Sequence, residues 1–276
     1  MITPDRYAVF GQPINHSKSP RIHQLFAEQT GQLLTYTAQE VSASQFKTAV
    51  REFFGNAGKG LNCTVPLKQL AWELADNKTP RAQLSKAVNT LALHSDGSLI
   101  GDNTDGIGLV TDLTQHHSLQ LNGMRILILG AGGASRGILG PLLEQAPKTI
   151  VIANRTLAKA VDLAQEFGQA KVIACGFEDL ADQQFELVLN ATSASLSNQL
   201  PPLPKSLLSP NAVCYDLAYA NQATAFVLWG QQQHARKSVD GLGMLVEQAA
   251  EAFFIWRGIR PDTKPVLELL NSERTA

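Results

Sequence analysis

The sequence predicts an α/β protein organised around a parallel sheet, and two observations carry the prediction. Arg125 to Leu129 is an Ile- and Leu-rich run without polar alternation, as in a strand buried on both faces, and it leads into the glycine-rich Gly130-Ala131-Gly132-Gly133-Ala134-Ser135. Beyond that turn, apolar runs and helical spacings alternate. Strand, helix and strand repeated in this way give a right-handed parallel sheet. At about 150 residues per domain, a chain of 276 makes two domains or one large one.

Taken in order, Tyr7 to Phe10 reads as a strand stopped by Gly11. Ser19-Pro20 opens a helix through Gln29, with Ser19 as N-cap and proline at the first helical position. Leu34 to Gln39 reads as a strand, and Ser44 to Phe54 places Phe46, Ala49, Val50, Phe53 and Phe54 at helical spacing. Gly60 to Val65 is extended and stopped by Pro66. Val88–His94 and Ser98–Ile100 flank Asp96-Gly97, a hairpin signal. After the glycine turn a helix runs to about Glu144, followed by a strand at Thr149–Ala153 and a helix at Leu157–Phe167. Further strands are expected near Lys171–Ile173, Leu187–Leu189 and Val213–Tyr215. Ser193 to Pro210, rich in Ser, Asn and Pro, reads as a long functional loop. Two helices, about Leu242–Arg257 and Lys264–Leu270, close the chain.

Composition narrows the function classes. With 44% hydrophobic and 17% charged residues, the chain has the make-up of a globular core. Twenty-three basic residues against twenty-four acidic ones leave a charge of −1 without a Lys/Arg block, which argues against nucleic-acid binding through phosphate neutralisation. The first residues, Met1 to Arg6, lack the basic-then-apolar pattern of a secretory signal, and no uncharged apolar stretch approaches the ~20 residues of a membrane span. Cys63, Cys175 and Cys214 offer neither a disulfide framework nor a Cys-x-x-Cys site, which fits a reducing cytoplasm.

In the glycine turn, Gly130 permits the tight bend and Gly132 lets backbone amides approach a pyrophosphate, while the helix N-terminus supplies N–H donors. The third motif position is Ser135 rather than glycine, and the competing reading is a plain strand-to-helix turn; the strand–turn–helix context favours a dinucleotide. A site preferring NAD places Asp or Glu at the end of the next strand, where this chain has Asn154-Arg155-Thr156. An arginine fork pairs with a 2′-phosphate, so NADP is the expected cofactor, although Arg155 taken alone reads as a solvated residue.

Two polar groups in the N-terminal half look chosen for chemistry: Asn62-Cys63-Thr64-Val65-Pro66-Leu67-Lys68 and Gly101-Asp102-Asn103-Thr104-Asp105-Gly106. Reducing a ketone with a hydride donor requires a proton donor at the developing alkoxide, and an ammonium held by a carboxylate supplies one. Singly, Lys68 reads as a surface lysine and Asp105 as a helix N-cap, and nothing in the residues alone pairs them. His116 and His117, adjacent on a helix, do not face each other and have no acidic cluster in register, so they read as a solvated helix end and no metal is expected. Cys63 alternates away from Asn62 and Thr64 and reads as a packed small side chain. His16 and His23 sit beside the serines at 17 and 19, and His16 is not assigned proton transfer. Phe253-Phe254 with Trp256 fits a packing face.

Eight blocks in order resemble the motifs of the shikimate dehydrogenase family. They are Gly11 to Pro20, Asn62-x-Thr64-x-Pro66-x-Lys68, Ala87-Val88-Asn89-Thr90, Gly101 to Gly106, Gly130 to Arg136, Asn154-Arg155-Thr156, Asn190 to Ser193, and Asp240 to Gln248. The resemblance implies a catalytic N-terminal α/β domain (residues 1–104, joined by C-terminal helices at 245–276) and a Rossmann-type NADP-binding domain at 105–244. It further implies reversible NADPH-dependent reduction of 3-dehydroshikimate to shikimate, on the route to chorismate and aromatic amino acids. By position, Lys68 is then the acid–base group with Asp105 beside it. Ser17 and Ser19 hydrogen-bond the substrate carboxylate, Thr64 and Tyr219 add further contacts, and Asn89 and Gln248 hold ring hydroxyls. Gly130, Ala131, Gly132, Gly133 and Ala134 bind the cofactor with Asn154, Arg155, Thr156, Leu157, Ala158 and Lys159, and Leu217 and Gly241 lie near the nicotinamide. The implied partners are small molecules, with no nucleic acid or membrane, in a monomer or homodimer. Ser195 and Asn221 depart from the family pattern, where glycine and proline are common, and put the local loop shapes in doubt. Two alternatives stay open: a quinate/shikimate dehydrogenase with broader substrate or NAD use, and a non-catalytic NADPH-sensing protein on the same fold.

Overall fold

The computed structural model describes residues 3–197 and 199–275, and the chain divides into two compact units. The first runs to Gly108 and includes Leu245–Glu273; the second is Leu109–Met244 with the residues from Arg274 on. Asp105 therefore belongs to the same unit as Lys68.

The first unit contains β1 (Asp5–Gly11), α1 (Ser19–Thr30), β2 (Leu34–Glu40), α2 (Phe46–Gly55), β3 (Gly58–Cys63) and α3 (Lys68–Leu74). It continues through β4 (Asn77–Lys78), α4 (Pro80–Ser85), β5 (Thr90–Leu93), β6 (Leu99–Asp102) and α5 (Asp105–Thr111), within which the chain passes to the second unit. The sheet order is β2-β1-β3-β5-β6-β4, with β5 antiparallel to both its neighbours and the other pairs parallel. Phe10, Phe46, Val50, Phe53, Leu61, Cys63, Leu67 and Leu91 form part of one core. Asp96-Gly97 makes the expected hairpin turn, with the His94 and Gly97 amides donating to Ser98 and His94 carbonyls. The N-cap assignment of Ser19 needs correcting: the helix starts at Ser19, with Lys18 at the cap position. The Ser17 hydroxyl accepts the Ser19 N–H at 3.3 Å, so Ser19 is free to take helical dihedrals.

The second unit holds β7 (Arg125–Leu129), α6 (Gly133–Glu144), β8 (Thr149–Ala153), α7 (Leu157–Phe167), β9 (Val172–Cys175), β10 (Phe185–Asn190), β11 (Leu208–Asp216), α8 (Ala225–Gln232) and β12 (Lys237–Asp240). All pairs are parallel in the order β12-β11-β10-β7-β8-β9, so the winding direction reverses between β7 and β10. That reversal is the topological switch point of a doubly wound sheet. The chain returns to the first unit through α9 (Leu242–Arg257), followed by α10 (Lys264–Thr275). Trp256 of α9 docks on the first sheet, donating to the Leu91 carbonyl at 3.1 Å.

Three features differ from expectation. α8 and β12 have no clear sequence signature: α8 is apolar on most positions, and the edge strand Lys237-Ser238-Val239-Asp240 carries a single aliphatic residue. The stretch from Ser193 contains a 3₁₀ turn at Ala194–Ser197, with residue 198 outside the described residues, and β11 already begins at Leu208. His117 is not a solvated end. The helix widens into a π-turn at Asp112–His116, and this brings the His117 ring within 3.6 Å of buried Asp112. Among the described residues no group of three or more His, Cys, Asp or Glu could hold a metal, and no helix is long and apolar enough to cross a membrane.

Candidate active site

Lys68 begins α3 immediately after the β3 turn, and Asp105 begins α5 immediately after the β6 turn, so two strand ends of one sheet deliver the pair. Lys68 Nζ donates to Asp105 Oδ2 at 2.5 Å, with the side chains 24% and 9% exposed. The second carboxylate oxygen accepts from Asn89 Nδ2 at 2.9 Å. Asn89 is buried between β3 and β6. Its amide oxygen accepts from the Thr104 N–H at 2.9 Å and from the Thr90 hydroxyl at 2.8 Å, which fixes the amide orientation. Its Nδ2 has two hydrogens but three acceptors in reach: Asp105 and the Thr104 hydroxyl at 2.9 Å, and Gln248 Oε1 at 3.3 Å. Gln248, on α9, is the most loosely held of the three.

Ser17 and Thr64 are half-buried on the loops that follow β1 and β3, and Ser19 is buried at the first position of α1. The Thr64 amide donates to the Phe10 carbonyl and the Gln12 amide to Val65, which clamps the two loops together. Cys63 points into the core, where burial pushes its thiol pKa far up. Tyr219, expected with the substrate set, lies in the second unit, half-buried on the turn after β11.

At the switch point of the second sheet, Gly130 ends β7 with φ +101°, and a Cβ there would stand 3.2 Å from the Ala191 carbonyl oxygen. Apart from its own chain neighbours and helix backbone, a Cβ on Gly132 or Gly133 would meet no atom of the described residues within 4 Å. The first turn of α6 thus opens onto free space. Ser135, the non-glycine motif position, is buried and donates to the Gly130 carbonyl at 2.7 Å, locking the turn from inside. Asn154 donates to the Thr156 carbonyl at 2.8 Å, and Arg155 through Lys159 are exposed at the start of α7. These residues fit a dinucleotide: open amide donors for a pyrophosphate and an exposed guanidinium for a 2′-phosphate. Leu217 and Gly241 lie close together, since a Cβ on Gly241 would fall 2.3 Å from the Leu217 carbonyl oxygen.

Several contributors escaped the sequence reading. Asn62 donates to the Asn89 carbonyl and the Thr90 hydroxyl at 3.0 Å and accepts from Tyr36 at 2.7 Å. Its place in one motif with Thr64 and Lys68 was the available signal. Asp216 is fully buried and accepts from Ser195 at 2.5 Å, Thr224 at 2.6 Å and the Ala218 amide at 3.1 Å. Burial raises its pKa, and those donors pull it down. Ser195 is thereby part of a network that shapes the turn around Leu217.

A doubly wound sheet with an open glycine turn at its switch point, together with a lysine–carboxylate pair, defines a dinucleotide-dependent oxidoreductase. Residues 9–91 match the model of the shikimate dehydrogenase substrate binding domain, 112–199 that of shikimate / quinate 5-dehydrogenase, and 241–270 that of the shikimate 5′-dehydrogenase C-terminal domain. The shikimate dehydrogenase (NADP(+)) of Methylococcus capsulatus is 60% identical over 275 residues, 99% of each chain. Among solved structures, an Ael1 enzyme from Pseudomonas putida has a TM-score of 0.91 at 48% identity, covering 96% of this chain and 98% of that one. Shikimate 5-dehydrogenase of Thermus thermophilus, in complex with NADP(H) and shikimate, has a TM-score of 0.86 at 32% identity, covering 98% and 99%. The chain belongs to the shikimate dehydrogenase family.

Proposed function

We propose that this protein catalyses the reversible NADPH-dependent reduction of 3-dehydroshikimate to shikimate, a step of aromatic amino-acid biosynthesis. The observation that carries the reading is the Lys68–Asp105 pair at 2.5 Å, braced by Asn89. When bound, NADPH supplies the hydride. As negative charge develops on the ketone oxygen, Lys68 Nζ gives it a proton, and in the reverse direction the neutral amine takes the hydroxyl proton. Asp105 orients the amine. Asn89 and Gln248 hold ring hydroxyls, the Ser17, Ser19 and Thr64 hydroxyls donate to the substrate carboxylate, and Tyr219 is assigned a further contact with the same ligand. Gly130 to Ala134 would hold the cofactor diphosphate through backbone amides, Arg155 within 154–159 would pair with the 2′-phosphate, and Leu217 and Gly241 would serve the nicotinamide end. A protein that only sensed NADPH would have no use for a lysine held on a buried carboxylate. A cytoplasmic monomer or homodimer completes the reading; the location is supported by three buried free cysteines.

Steady-state kinetics with shikimate and quinate, each with NADP and NAD, test it. Turnover is expected to be highest with shikimate and NADP, and its absence would overturn the reading. Arg155→Ala should raise KM for NADP by about 10- to 100-fold and leave that for NAD little changed, as expected when a charge-assisted phosphate contact is lost. Equal effects on both cofactors would show that Arg155 does not read the 2′-phosphate.

A further inference from the structure

We infer that Arg81 is a positioning residue for this reaction, the cation that sets the turn carrying Asp105 and the helix carrying Gln248 at a fixed separation. This role rests on the substrate functions proposed above for Asn89, Asp105 and Gln248. Arg81 lies on the short α4, outside every motif block read from the sequence. Its Nε and Nη2 donate to Asp102 Oδ1 at 2.6 Å and Oδ2 at 2.7 Å, a two-pronged fork, and Nη2 also reaches Glu251 Oε1 at 3.0 Å. Arg260 closes the network on Glu251 Oε2 at 2.6 Å. Two cations and two carboxylates balance.

Each carboxylate anchors a different part of the site. Asp102 ends β6 with its side chain 8% exposed. Its Oδ1 also accepts the Asn103 N–H at 2.7 Å and the Thr79 hydroxyl at 2.6 Å, and its carbonyl accepts the Asn89 N–H at 3.0 Å. Asn103 Oδ1 in turn accepts the Asp105 N–H at 3.1 Å. Arg81 therefore grips the start of the turn that ends at Asp105. Glu251, its side chain 11% exposed, stands three residues after Gln248 on α9 and so on the same helix face. The guanidinium bridges both because it is planar and multiply donating. A lysine carries the same charge but, as a single ammonium, cannot reproduce the fork and the bridge together. Charge and geometry can thus be separated experimentally.

The parent enzyme's turnover of shikimate with NADP is measured first, then Arg81→Met, Arg81→Lys and Glu251→Gln, each with its thermal midpoint. Arg81→Met should raise KM for shikimate about tenfold, the loss expected when a hydrogen bond to the substrate is misplaced. KM for NADP should stay within about twofold of the parent, because the cofactor residues belong to the other unit. Arg81→Lys should recover most of the thermal midpoint yet keep KM for shikimate raised. Glu251→Gln leaves the Arg81–Asp102 fork in place and should raise the same constant several-fold. If Arg81→Met does not fold, the other two variants decide. The role is overturned if Glu251→Gln, or Arg81→Lys at restored stability, keeps the parental KM for shikimate within about twofold. A parent without shikimate turnover would overturn the functional reading and this role with it.

Discussion

Lys68 and Cys63 are five residues apart on one strand-to-helix connection and have opposite fates. Lys68 emerges 24% exposed against a carboxylate, whereas Cys63 turns into the core, where burial disfavours its thiolate. In the proposed reaction proton transfer falls to the lysine, while a thiol held protonated in the core is poorly suited to nucleophilic attack. Replacing Lys68 with Met keeps most of the side-chain length and removes the proton. We expect kcat to fall about 10²- to 10⁴-fold, with a much smaller change in KM for shikimate. Rates measured at saturating NADP check this. If kcat stays within a few-fold while substrate binding collapses, Lys68 binds the substrate and the proton comes from Asp105 or a bound water.

The strand–turn–helix of β7 and α6 makes two glycines two positions apart behave differently. Gly130 adopts φ +101° with the Ala191 carbonyl oxygen 3.2 Å from where a Cβ would stand, so its requirement comes from the protein's own backbone. Gly132 has no such neighbour within 4 Å among the described residues, so in the proposed function its requirement is assigned to the cofactor. Gly130→Ala should therefore cost about 1–3 kcal/mol of stability, the usual cost of a strained non-glycine conformation. Gly132→Ala should fold as the parent does but bind NADP about tenfold more weakly, because the added methyl occupies space the pyrophosphate needs. Thermal unfolding and NADP titration of both variants separate the two cases. A destabilised Gly132→Ala with normal NADP affinity would place that glycine's role in the fold.

The stability of the whole protein should carry the mark of a histidine buried in the first unit. His23 stacks on Tyr36 with ring centroids 4.1 Å apart, and its Nε2 has no hydrogen-bond partner among the described residues. Burial lowers its pKa to about 3, against an ordinary value near 6.5. The folded ring stays neutral where the unfolded ring takes up a proton. Its contribution is complete above about pH 6.5 and declines as the pH falls toward about 3, by roughly 1.4 kcal/mol per pH unit. Between pH 7 and pH 5 that amounts to about 2 kcal/mol. Urea unfolding at the two pH values should show the parent losing about that much more than His23→Phe. Equal losses would mean that the buried ring does not govern acid stability.

Several strands and helices of the second unit were legible in the chain because local patterns dictate them. Arg125–Leu129, Thr149–Ala153 and Leu157–Phe167 have the bounds expected, each being an apolar run or helical period ended by its own turn residues. α8 and β12 were not legible, since neither their periodicity nor their composition separates them from loop, and they exist because β11 offers an edge to pair and a surface to cover. The motif residues singled out Lys68 and Asp105 as candidates, but their pairing spans 37 positions and closes only when β3 and β6 flank β5 in one sheet. The Arg81 bridge to Glu251, across 170 positions, has no sequence signature at all. Local propensity acts between neighbours in the chain and can be read from it. Charge pairing across a sheet and a returning helix depends on which distant segments meet, and that is settled when the core packs.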